Sequence, residues 1–157
     1  MVDRLDVALL HRRFDQYPRD LYSIDFLVND TSLFSAARAN ERDMAGCFMS
    51  LAVPGHTAKL AKIFVGELLA DVLPGDRIPL FVCPICGDAG CGTISFKLTR
   101  QGSLVRWSEF AYENTWDDEA TDFESYSTLG PFEFDLETYE LVIGRAVNLV
   151  SASAAVR

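Results

Sequence analysis

The feature that most constrains the fold is a period-2 run in which Ile94, Phe96 and Leu98 alternate with Thr93, Ser95, Lys97 and Thr99. Successive side chains of an extended strand point to opposite faces, so this alternation describes a strand with one buried face. Arg100-Gln101-Gly102-Ser103 supplies a turn and Leu104 to Asn114 returns, which predicts a β-hairpin. The returning strand changes phase: Val105 and Trp107 share one parity, Phe110 and Tyr112 the other. A bulge near Ser108-Glu109 would place all four on one face.

Further strands are expected at 78–83, where Pro79 argues for an edge or a strand start, and at Tyr22-Ile24-Phe26-Val28, closed by Asn29-Asp30. Residues 3–14 fit a strand or a helix, because Leu5, Val7 and Leu9 suit one and Leu5 with Leu9 the other. Thr57 can cap a helix carrying Leu60, Phe64 and Leu68 with Ala61, Val65, Leu69 and Val72, stopped by Pro74-Gly75. Asp135 is a good N-cap for a C-terminal helix with the apolar stripe Leu136, Tyr139, Val142, Ile143, Ala146, Val147 and Val150. The expectation is a single α+β domain over 1–150, mainly antiparallel sheet with helices packed on one face, including the C-terminal helix. Residues 151–157 read as a disordered, small-residue tail. A chain of 157 residues buries enough surface to need no covalent staples.

Charge is strongly segregated. Residues 1–106 carry twelve acidic and twelve basic residues, whereas 107–157 carry eleven acidic residues against Arg145 and Arg157. No Lys or Arg occurs from Trp107 to Gly144, and residues 107–157 account for the formal net charge of −9. Such a field repels nucleic acid and anionic lipid and attracts basic partners. A solvated acidic face that maintains solubility would show the same pattern. No apolar run is long enough to span a bilayer and the opening residues do not read as a signal peptide, so the expected compartment is cytoplasmic.

Cys83, Cys86 and Cys91 lie within nine residues, in Cys83-Pro84-Ile85-Cys86-Gly87-Asp88-Ala89-Gly90-Cys91-Gly92. Cys-Pro-x-Cys-Gly has the form of a zinc knuckle, but tetrahedral zinc takes four ligands. The candidates for a fourth are Cys47, His56 and His11, all distant in sequence, and Asp88 inside the turn, with Cys47 or His56 the expected closing ligand; the cofactor expectation is therefore none or zinc. A glutaredoxin-like redox pair needs a helix N-terminus to support the thiolate, and a strand follows instead. A merely structural three-thiol turn fits the same residues. Cys47 with His56 is conceivable as a nucleophile and base, although sequence spacing says nothing about reach.

The Cys83–Gly92 run, together with Val105-Arg106-Trp107-Ser108-Glu109-Phe110-Ala111-Tyr112-Glu113-Asn114 and Gly130-Pro131-Phe132-Glu133-Phe134-Asp135, resembles a family of uncharacterised bacterial proteins. Their combined motifs are CPxCGDxGCG and VxWxxFxYEN. Members are often labelled "oxidoreductase" without an established activity, so the resemblance implies fold continuity and linked motifs over about residues 78–140 and no particular reaction.

Two functional classes follow. The leading expectation is a non-enzymatic acidic binding protein, of inhibitor or immunity-antidote type, that masks a basic partner such as a toxin. Its face would be Trp107, Glu109, Tyr112, Glu113, Trp116, Asp117, Asp118 and Glu119, since aromatics anchor interfaces and carboxylates steer basic partners. No catalytic residue is assigned under this reading. The alternative is a thiol oxidoreductase or zinc-dependent enzyme using Cys83, Cys86 and Cys91.

Overall fold

The structure is a computed structural model that describes residues 2–13, 20–50, 55–84, 91–114 and 121–155. β1 (Leu5–Arg13) pairs antiparallel with β2 (Asp20–Val28), so the ambiguous N-terminal segment is a strand. Asn29 and Asp30 turn the chain at φ 51° and 69° into β3 (Thr31–Ser32). Short polar side chains tolerate that left-handed backbone, which matches the twist of a two-residue hairpin.

A second antiparallel sheet runs in the order β4 (Ala45–Gly46), β5 (Ile78–Val82), β6 (Thr93–Gln101), β7 (Leu104–Glu113), β8 (Phe132–Asp135). The segment from Ala45 to Ser50 joins the two sheets. Cys47 N–H donates to the Leu80 carbonyl (3.0 Å), Ile24 N–H to Phe48 (3.0 Å) and Ser50 N–H to Tyr22 (2.8 Å). Gly46 sits at the closest approach, where a Cβ would lie 2.1 Å from the Ile24 carbonyl oxygen, so only glycine fits. At the far edge, Asp3 N–H donates to the Glu133 carbonyl (2.6 Å) and the Asp3 carboxylate accepts from Glu133 N–H (2.9 Å).

The hairpin forms where the alternation places it. Gln101 pairs with Leu104 across Gly102-Ser103, and the register slips once, between Ser95/Ala111 and Lys97/Ser108. The extra residue lies on β7 and Glu109 adopts φ 51°, so the expected bulge is present. It returns Phe110 to the face of Val105 and Trp107, and all three are buried, while Tyr112 packs partly buried against the same core.

Three helices accompany the sheets among the described residues: α1 (Leu33–Ala36), α2 (His56–Phe64) and α3 (Leu136–Ala155). α2 stops well short of the expected Pro74-Gly75 boundary. Gly66 at φ 82° ends it with a Schellman pair, in which Glu67 N–H donates to Lys62 (2.9 Å) and Gly66 N–H to Ile63 (3.1 Å). Leu68, Leu69 and Val72 therefore leave the helix and are exposed. The N-cap position of α2 is Gly55, not Thr57. At α3, by contrast, Asp135 caps as expected, its carboxylate accepting from Thr138 N–H at 3.1 Å. α3 continues through Ser151 into the segment expected to be disordered, where the alanines favour continued helix and Ser153 Oγ donates to the Leu149 carbonyl (2.9 Å).

α3 lies against β1, β2, β7, β8 and α2, and its stripe closes an aromatic core. Trp107 is its centre, with ring neighbours Phe26, Phe64, Phe96, Phe134 and Tyr139 at centroid distances of 4.5–6.0 Å. The indole Nε1–H donates to Tyr139 Oη (3.1 Å), whose own O–H donates to the Phe64 carbonyl (2.7 Å). Every polar atom of that cluster is thus satisfied, which a buried Trp and Tyr require. No helix among the described residues is long and apolar enough to cross a membrane.

Candidate functional site

The residues expected to form one aromatic and acidic face divide between three environments. Trp107 is 0% exposed, so it belongs to the core and offers no surface to a partner. Glu113 is also buried, because after the bulge the polar phase of β7 is itself covered. Tyr112 is half-buried: the Arg42 guanidinium stacks on its ring 3.7 Å from the centroid, and its hydroxyl occupies the space that a side chain at Gly92 would fill. Glu109 alone of the four described residues projects outward, beside Lys97 at 3.6 Å. Trp116, Asp117, Asp118 and Glu119 lie outside the described residues.

Beneath the outer face of the hairpin lies a buried ion pair. Arg77 Nε donates to Glu113 Oε2 at 2.7 Å, and Arg77 Nη2 donates to Ser95 Oγ (3.1 Å) and to the Glu109 carbonyl. Ser95 Oγ–H donates to the same carboxylate. One guanidinium therefore holds β6, β7 and the bulge together, while the Phe123 ring covers its other side 4.9 Å from Cζ. A charge withdrawn from water is tolerable only with such pairing. This places Arg77 and Glu113 in the scaffold beneath the surface.

Beside the bulge is an open groove of about 460 Å³ between β7 and the returning segment 123–131. Phe110 and Tyr126 lie along its base, and Glu109, Phe123 and Pro131 line its sides. Phe123 is 46% exposed, so much of its ring faces solvent at the groove. The segment is anchored by arginines from the charge-balanced first part of the chain. Arg38 Nη2 donates to the Ser125 carbonyl (3.0 Å) and Arg42 Nε to Tyr126 Oη (3.3 Å). Asp122 bridges back to Tyr112 by reciprocal backbone bonds of 2.8 and 3.1 Å. Its carboxyl is held below the usual range, first by hydrogen bonds from Ser125 and then by the nearby Arg42.

The three described cysteines, Cys47, Cys83 and Cys91, stand in different environments. Cys47 is buried, and loss of solvation pushes its thiol well above the ordinary range, which keeps it protonated and a poor nucleophile. Cys83 is half-buried at the end of β5 and Cys91 is exposed before β6. Among the described residues no three His, Cys, Asp or Glu side chains gather at ligating distance, so Cys47, Cys83 and Cys91 do not form a site by themselves. Cys86 lies outside the described residues. His11 is remote from any such role, stacked on Tyr22 at 4.6 Å and 3.2 Å from Asp20. Cys47 and His56 do share one feature: both line a small cavity beside α2.

Sequence pattern missed Arg77, Ser95, Phe123 and Arg42. The signal that could have found Arg77 is the absence of Lys and Arg from 107–144, since a buried carboxylate in such a stretch must find its cation elsewhere in the chain; no sequence signal points to Ser95, Phe123 or Arg42. A scan against protein-family models and searches of curated proteins and of solved structures each return no match.

Proposed function

We propose that this protein is a non-enzymatic, acidic binding protein that masks a basic protein partner, as an inhibitor or immunity-type antidote does. The observation that carries this reading is the groove beside β7, where an exposed aromatic, Phe123, and an outward carboxylate, Glu109, stand together. A lysine or arginine of the partner would lay its aliphatic stem on Phe123 and Pro131 and bring its charge to Glu109. Hot spots have this composition, an aromatic anchor with a charge at its edge. The run Trp116-Asp117-Asp118-Glu119 precedes the groove segment in sequence and adds long-range attraction.

The test is affinity capture from cells of the source organism with the wild-type chain and with a Glu109→Lys/Phe123→Ala double variant. The expected result is one basic protein retained by the wild type, released by raised salt, and lost from the double variant. Glu137→Lys, on the exposed start of α3, should retain it. Absence of any such protein, or equal retention by the double variant, overturns the proposal.

A further inference from the structure

We propose that the cavity beside α2 binds a small zwitterion, an α-amino acid with a compact branched apolar side chain. The cavity has a volume of about 130 Å³ and shares no described lining residue with the groove. Its inner wall is apolar, formed by Leu60, Ile63, Ala70 and Val82, with the neutral Cys47 thiol beside them. An apolar space of this size accommodates a benzene-sized group, so an isobutyl side chain fits and an indole does not.

The mouth carries both signs of charge. His56 and Lys59 stand one turn apart on α2, and Asp71 stands on the chain that follows it; all three are exposed. None of them has an ion-pair partner among the described residues, and Lys59 and Asp71 do not bridge each other despite lining the same opening. A ligand with one charge would satisfy one side and leave the other facing it. A ligand carrying carboxylate and ammonium on one carbon satisfies both: the carboxylate lies toward Lys59 and His56, the ammonium toward Asp71, and the side chain enters the cavity. Pockets of this kind take affinity from the apolar fill and orientation from a few polar groups at the rim.

Calorimetric titration of the full chain with L-leucine, 4-methylpentanoate, 3-methylbutylamine and glycine tests this. Leucine should bind at least about tenfold tighter than either molecule lacking one charge, and glycine, with no side chain to bury, should give no heat. Ala70→Leu, which fills the cavity, should abolish leucine binding. Asp71→Asn, at an exposed position that leaves folding intact, should weaken leucine about tenfold and leave 4-methylpentanoate unchanged. The proposal is overturned if leucine gives no binding in the millimolar range, if it binds no tighter than 4-methylpentanoate, or if Asp71→Asn leaves its affinity unaltered. Should Ala70→Leu fail to fold, the ligand series and Asp71→Asn still decide.

Discussion

Where Thr93–Phe96 of β6 pair with Phe110–Glu113 of β7, both faces of the hairpin are buried, yet they are buried by different physics. On the inner face Phe96, Trp107 and Phe110 join an aromatic cluster in which many weak contacts share the load. On the outer face Thr93, Ser95 and Glu113 are covered, and the Arg77 guanidinium organises Ser95 and Glu113. The inner face should therefore fail in proportion to volume removed. The outer face should fail when charge is left unmatched, whatever the volume. That difference bears on the groove, because Glu109, which lines it, sits at the bulge whose carbonyl Arg77 holds.

Removal of the inner anchor should have the largest effect. Trp107→Ala deletes the centre of the core and is expected to cost about 3–5 kcal/mol, read as a shift of the denaturant midpoint at unchanged slope. A loss below about 1 kcal/mol would show that the core collapses around the vacancy and that the aromatic cluster is not the main support.

On the outer face the expected pattern is non-additive. Glu113→Ala leaves the Arg77 charge buried with only neutral acceptors and should cost about 3 kcal/mol. Combining Arg77→Met with Glu113→Leu removes both charges and should restore most of that loss. If the double variant is as unstable as the sum of its singles, the ion pair is not the organising element and the contrast between the faces fails.

Legibility followed the same division. The hairpin and its bulge could be read because alternation of apolar residues directly records one buried face, and a single inserted residue is what shifts that alternation by one at Ser108-Glu109. The end of α2 was not legible because Leu68, Leu69 and Val72 continue an apolar helical spacing past Gly66, although they are 41%, 72% and 48% exposed. There the backbone signal, a glycine at φ 82°, outweighed the pattern. The candidate site was legible only in part. Glu113 stands on the polar phase of its strand, and nothing local distinguishes a solvated acid from one paired with an arginine 36 positions earlier. The acidic segment looked free of counter-ions because Arg38, Arg42 and Arg77 reach it through the fold and not along the chain.

The smallest predicted effect is the sharpest test of how the faces are joined. Glu109 holds the left-handed backbone of the bulge, φ 51°, and its carbonyl is an acceptor for Arg77. For a residue with a Cβ this conformation costs about 1–2 kcal/mol, a cost absent for glycine. At an ordinary strand position the order is reversed, glycine being about 0.5–1 kcal/mol worse than alanine. Glu109→Gly should therefore be more stable than Glu109→Ala by about 1 kcal/mol, while Arg106→Gly, at an exposed position on the same strand, should be less stable than Arg106→Ala. Comparing the two substitutions at one site cancels loss of the exposed Lys97 contact, because both remove it. If glycine is the worse substitution at both positions, the bulge is not under backbone strain, and Arg77 then has no strained carbonyl to hold in place at the edge of the groove.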